Sequence, residues 1–277
     1  MTIAGTDQMT IAIEQLIKLH DPRCMSIESL NVGRGRAILT KEQILGAFAT
    51  AQHHHTVGFD LLMAKYRHDG QAEKRIRASI TNWVNARPHL EHAITACQIA
   101  LSMVLERNLP AQIDHIAKLL RRYGSQSSQT RMNTDALQAE IKQLEKLRGR
   151  DRVSDDEYQR IGQQIEQLSL RVEAERAALR TWSEHQAAQS NVCPRCSGTG
   201  KTLRPAVVLC NECGGHGRIT ATFEHLRKSL AITGAEIPAR EWPEYLDLTK
   251  RCMRWLYIEE SEASVLISDR VKSELRG

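Results

Sequence analysis

The sequence predicts a mainly α protein: a helical bundle with a coiled-coil hairpin insertion, a small four-Cys zinc ribbon and a C-terminal helix-turn-helix region. Three observations carry this. Apolar residues recur at three- and four-residue spacing over 41–123 and again over 221–257. The spacing turns heptad-like over 131–189. Two Cys-x-x-Cys pairs stand between the last two stretches.

Bulk properties narrow the function classes. The chain has 277 residues and is about 45% apolar once glycine is counted in place of tyrosine, which excludes wholesale disorder. No apolar run reaches the roughly 18 residues of a membrane-spanning helix. The first positive side chain is Lys18, so the early charge expected of a secretory signal is missing. A soluble protein of a reducing compartment is expected, with no membrane partner. The net charge of +5 permits an anionic partner without demanding one. Aromatic residues, at 4%, are too scarce for a platform that stacks single-stranded bases.

Residues 1–40 form a poorly patterned N-terminal arm. Its basic stretch Asn31–Arg36 reads either as a flexible connection or as an arm that lies on phosphate. The helical domain, 41–123, opens with a capping box, Thr40-Lys-Glu-Gln43. Ile44, Leu45, Phe48, Phe59, Leu62, Met63 and Tyr66 then keep helical spacing until His68-Asp-Gly70 breaks it. A second helix carries Ile76, Ile80, Trp83 and Val84 and stops at Pro88. A third carries Leu90 to Leu105, and Pro110 opens a fourth through Leu120. Three adjacent histidines, His53 to His55, face different sides of a helix and are expected on its exposed surface.

Gly124–Thr130 reads as a polar linker. Beyond it, Leu137, Ile141 and Leu144, then Tyr158, Ile161, Ile165, Leu168, Val172 and Leu179, step at heptad spacings. Ser154-Asp-Asp-Glu157 caps the second arm, so two antiparallel helices over 131–189 are expected. Such a hairpin serves as a spacer, as the seam of a possible homodimer, or as a finger that touches a partner.

The chemistry is concentrated in residues 191–219. Cys193-Pro-Arg-Cys196 and Cys210-Asn-Glu-Cys213 are separated by thirteen residues, and each pair is followed by glycines. Each pair makes a tight knuckle with two converging thiolates, and two knuckles complete a tetrahedral four-sulfur shell for one structural Zn2+. A catalytic zinc keeps an open position, and four thiolates leave none. The competing reading is a redox dithiol. His216 is a possible substitute ligand, expected free with four cysteines at hand. Gly200-Lys201-Thr202 imitates the end of a phosphate-binding loop, but Arg195 stands where that motif needs glycine. With no nucleophile–base pair or carboxylate cluster, the chain reads as a non-enzyme.

The C-terminal region, 221–277, reads as helix Ala221–Ile232, a turn through Gly234, and helix Ala239–Tyr257. Arg240 falls at the start of the second helix, where DNA-reading helices place base-contacting side chains. Lys201, Arg204, Arg227, Lys228, Lys250 and Arg251 are candidates for phosphate contacts, which position rather than specify. Part of the basic charge near the cysteines offsets the anionic zinc–thiolate core, and only the surplus can face DNA.

Two resemblances enter on these residues. The Cys-x-x-Cys-x-Gly-x-Gly form resembles the zinc modules of DnaJ co-chaperones, which carry four such repeats; this chain has two and lacks the His-Pro-Asp tripeptide of a J-domain. It implies a protein-binding, chaperone-type factor. The wider resemblance is to the lambda-type Q late antitermination proteins of lambdoid bacteriophages. It runs through Lys41–Gln52, Val57-Gly-Phe59, both cysteine motifs to Lys201 and Gly217, and Ile258-Glu-Glu-Ser261 before a final helix. It covers roughly 40–123 and 191–277, while the 131–189 region is much shorter in the lambda pattern. That resemblance implies a zinc protein of the host bacterial cytoplasm that binds double-stranded DNA at the phage late promoter. It would engage paused RNA polymerase through the β-flap and σ region 4, and then suppress pausing and termination.

Overall fold

The computed structural model describes residues 14, 16–17, 40–87, 90–150, 154–203 and 207–274. These residues are mainly helical. Asn31–Arg36, Cys24 and Arg204 lie outside them. None of the described helices is long and apolar enough to cross a membrane. The chain divides into two compact units, one from residues up to Arg107 together with Leu226 onward, the other from Asn108 to His225.

The first unit contains α1 (Lys41–His54), α2 (Thr56–Tyr66), α3 (Gly70–Asn85), α4 (Ala93–Val104), most of α8 (Phe223–Ile232), and α9 (Trp242–Glu274). The capping box at α1 forms as the sequence requires: Gln43 N–H donates to Thr40 Oγ1, and Thr40 N–H to Gln43 Oε1. The helical run does not continue unbroken to His68. It breaks at His55, whose φ of −131° and ψ of 62° leave the helical region. Asp69 caps α3 by accepting from the N–H groups of Gln71 and Ala72.

α2 is the central helix, with every residue from Gly58 to Ala64 buried. That enclosure explains its apolar sequence, since a helix hydrophobic on all sides needs neighbours on all sides. α9 packs along α1, α2 and α4, and it supplies Leu248, Cys252, Leu256, Ala263 and Ile267 to the same core as Ile44, Phe48, Leu61 and Leu101. Cys97 on α4 and Cys252 on α9 meet there. Their thiol hydrogen bond, with burial, pushes the Cys252 thiol far above its usual range.

Several polar side chains in this unit are paired. Asp60 is only 2% exposed and takes both Arg75 Nε (2.9 Å) and Nη2 (2.5 Å). Glu73 accepts from Arg77 and Arg107. Trp83 and Trp255 stack with centroids 5.5 Å apart, and the Arg87 guanidinium lies over Trp83.

The second unit contains α5 (Pro110–Tyr123), α6 (Ser125–Arg148), α7 (Asp155–Gln189), and strands β1 (Lys201–Thr202) and β2 (Val208–Leu209). The polar 124–130 segment is not an extended linker. Gly124 alone makes the corner, and α6 begins at Ser125. Serines and glutamines are tolerable helix formers when nothing competes for their backbone groups. α6 and α7 pack side by side in opposite directions: Asn133 donates to Glu175, and Arg148 lies over the Tyr158 ring at 4.0 Å. Ser154 caps α7 through Glu157 N–H. Ile161, Leu168 and Val172 are buried along one stripe.

Contacts therefore cut across the stretches that the sequence set apart. α5 leaves the 41–123 group, because Ile116, Ala117 and Leu119 pack with the cysteines and Ala187. The 221–277 region joins α1–α4, because the long α9 closes their core.

Candidate metal centre

The four cysteines converge. Asn191 and Ile219 bring the two ends of the module together through Ile219 N–H to Asn191 O, and Cys193 N–H donates to Gly217 O. In the middle, β1 and β2 pair antiparallel, Lys201 opposite Leu209 and Thr202 opposite Val208. The two knuckles lock reciprocally. A Cβ on Gly200 would fall 2.1 Å from Gly215 O, and one on Gly217 would fall 2.2 Å from Gly198 O. Gly200 and Gly217 also have φ of +72° and +74°, so both space and backbone angle demand glycine.

All four thiols are buried, and their sulfurs lie within 4.8 Å of one another. Cys193 Sγ is 3.8 Å from Cys210 Sγ, and Cys196 Sγ is 3.7 Å from Cys213 Sγ. A disulfide needs about 2.05 Å. Four thiolates about 2.3 Å from a central zinc would form a tetrahedron with edges of about 3.8 Å. The spacing fits a metal shell and excludes disulfide bonding between the pairs as they stand.

The electrostatics are compatible with a bound cation. Burial pushes the Cys193 thiol up to about 12 and raises that of Cys213. At Cys196 burial is outweighed by the Gly200 N–H and by hydrogen bonds from Cys193 and Cys213, which bring it down to about 7. Burial keeps Cys193 and Cys213 protonated near neutrality, and a metal ion bound to the four sulfurs would displace those protons. The module rests on α5 and the end of α7, with Ile113, Leu120 and Tyr123 around it. Glu212 accepts from Tyr123 Oη and pairs with Arg195 at 3.5 Å. Gln112, buried, donates to Ile219 O and ties the end of the module to α5. That support was not legible in the sequence, where Gln112 is one polar residue among many.

The basic candidates fall on both units. Lys201 is exposed on β1. Arg227, Lys228, Arg240, Lys250 and Arg251 belong to the other unit. Arg240 does not lie in the helix where the sequence put it. It precedes α9, is 84% exposed, and stands 3.2 Å from Glu241. Arg227 lies over the Trp242 ring at 5.9 Å, and Arg251 pairs with Asp247 at 2.9 Å. α9 itself does not stop near Tyr257 but runs on as one helix to Glu274, so among the described residues no separate final helix follows. Nothing in Ile258–Ser261 breaks a helix, and Ala263, Ile267 and Val271 continue its buried stripe.

Fold and site together define a mainly helical protein with a buried four-thiol cluster of metal-binding geometry. Residues 10–276 match the family described as conserved hypothetical protein CHP02642, and the chain belongs to that family. No curated protein and no solved structure matches it.

Proposed function

We propose that the protein is a phage late-gene transcription antiterminator. It binds duplex DNA at the late promoter, engages paused host RNA polymerase through the β-flap and σ region 4, and suppresses pausing and termination. It performs no catalysis. One Zn2+, held by Cys193, Cys196, Cys210 and Cys213, stabilises a zinc ribbon as folding energy rather than as chemistry.

The observation that carries this reading is the pair α8 and α9, joined through Gly234 at φ +85° with Arg240 exposed just before α9. In a helix-turn-helix the start of the second helix meets the base edges. Arg240 is then the base-reading residue. Arg227, Lys228, Lys250, Arg251, Lys201 and Arg204 contribute phosphate contacts. Glu241, Glu244 and Asp247 near the same helix start repel phosphate and limit how DNA approaches. The α6–α7 pair acts as a coiled-coil hairpin that spaces the module or touches polymerase.

A gel shift on the DNA just downstream of the gene, with salt titrated, tests the loading half. Arg240→Ala should weaken specific binding more than non-specific binding, and equal losses would overturn the assignment. Run-off transcription through a terminator tests the other half.

A second reading, a DnaJ-like protein-binding module, is favoured by one observation. Leu203, Val207, Val208 and Leu209 on the β ribbon are 75%, 66%, 50% and 62% exposed. Exposed apolar residues in a cluster suit a protein partner. That reading predicts binding of unfolded polypeptide with little salt dependence.

A further inference from the structure

A second cluster of metal-ligating side chains lies in the first unit, far along the sequence from the cysteines. His55, Glu259 and Glu262 each offer one ligand atom, and those atoms lie within 4.8 Å of one another. His55 Nδ1 is 3.4 Å from Glu262 Oε2. We propose that these three residues bind a divalent transition-metal ion.

The placement has three independent supports. First, His55 sits at the corner between α1 and α2, off the helical path, and its ring reaches Glu262 on α9. Second, α2 and α9 touch at this level through their backbones. A Cβ on Gly58 would fall 2.0 Å from Glu259 O and 2.9 Å from Ala263 Cβ. Residues three apart on a helix share a face, so Glu259 and Glu262 both present to the corner that this contact fixes. Third, Glu259 is oriented from behind: Trp255 Nε1 donates to its Oε1 at 3.0 Å, and Trp255 is itself stacked on Trp83. Metal-ligating carboxylates are characteristically held by such a donor.

The donor set selects the ion. One imidazole nitrogen and two carboxylate oxygens suit Zn2+, Co2+, Fe2+ or Mn2+ rather than a soft ion. Ligand atoms around such an ion sit about 2.0–2.2 Å from it. The ligand atoms already lie within 4.8 Å of one another, and Glu262 is 53% exposed. Glu260, between the two ligands, is engaged by Lys65 at 3.3 Å. A bound ion relieves the repulsion of two neighbouring carboxylates and clamps the α1–α2 corner to α9. Its remaining coordination positions take water.

The test uses the full chain with its cysteines first saturated with zinc, then titrated with Co2+. Cobalt held by nitrogen and oxygen gives weak visible bands, whereas cobalt on thiolates adds intense near-ultraviolet charge transfer. One further equivalent with the weak bands alone is expected. His55→Ala and Glu262→Gln should each weaken it about tenfold or more, while His53→Ala and His54→Ala leave it unchanged. Cobalt should also raise the melting temperature of the parent protein and not that of Glu262→Gln. No saturable weak bands, or binding that survives His55→Ala and Glu262→Gln, or loss with His53→Ala or His54→Ala instead, overturns the proposal.

Discussion

Gly58 in α2 lies directly against the backbone carbonyl of Glu259 in α9, so close that a Cβ there would come within 2.0 Å of the oxygen. Two helices about two hundred residues apart in sequence meet at that point without an intervening side chain. Backbone cannot rotate aside as a side chain can. Gly58→Ala is therefore expected to destabilise the first unit by about 3 kcal/mol, the upper part of the usual range for overpacking. Gly46 in α1 is the control, since nothing lies within 4 Å of the Cβ it would gain. Gly46→Ala should stabilise by about 0.5–1 kcal/mol, because alanine loses less backbone entropy in a helix. Urea unfolding followed by far-ultraviolet circular dichroism reads both. A neutral Gly58→Ala would mean the helices do not approach as described.

The cysteine cluster makes a prediction about metal content. Cys196→Ser removes one of four converging sulfurs and should reduce bound zinc from about one equivalent to a small fraction of that. Chelation of the parent protein should have the same structural effect, exposing residues 191–219 to protease. Structural zinc in small modules contributes about 10–16 kcal/mol at neutral pH, so its loss is not absorbed by the rest of the module. Full zinc retention in Cys196→Ser would show that the four thiols do not act as one shell.

Acid sensitivity in the first unit should come partly from Glu73. Burial alone would raise its carboxyl, but hydrogen bonds from Arg77 and Arg107 outweigh burial and hold it below the usual carboxylate range. A depressed folded value means stability that is complete above the unfolded carboxylate range and lost as pH falls through the folded value. Glu73→Gln should therefore flatten the acid limb of a stability–pH curve and cost about 1–3 kcal/mol near neutrality. An unchanged acid limb would remove Glu73 as its source.

Asp60 and Arg75 form a forked ion pair with the carboxylate buried and the guanidinium half exposed. Removing Arg75 strands the carboxylate in the core. Arg75→Ala should cost about 3–5 kcal/mol, and Asp60→Ala with Arg75→Ala together should cost less than the sum of the two single changes. Arg75→Lys should not restore the parent stability, because an ammonium cannot span both oxygens. Additive losses in the double variant would mean the two side chains do not interact.

Local signals were legible in the sequence. Thr40 and Gln43 cap α1, Ser154 caps α7, and Pro110 opens α5, because each is a matter of a few neighbouring residues and their backbone groups. The buried stripe Ile161, Leu168 and Val172 follows from spacing alone. Breaks were less legible. His55 interrupts a helix with no glycine or proline to announce it, and Ser125–Thr130 opens one despite a polar composition. In both, packing of the flanking segments overrides weak local preference.

The sequence by itself determined that the chain is mainly helical and that two Cys-x-x-Cys pairs supply a cluster of four cysteines. Both depend on short-range geometry: turns, caps, and thiols three residues apart. Only the tertiary structure decided which elements share a core. It brought α9 to α1, α2 and α4, joined Cys97 to Cys252, seated the cysteines on α5, and turned His55 from one of three surface histidines into a neighbour of Glu259 and Glu262. Periodicity says which face of a helix is apolar, but not which other face it meets. That choice rests on side-chain shape at long-range contacts, such as the absent side chain of Gly58, and these are written in single residues that carry no local pattern.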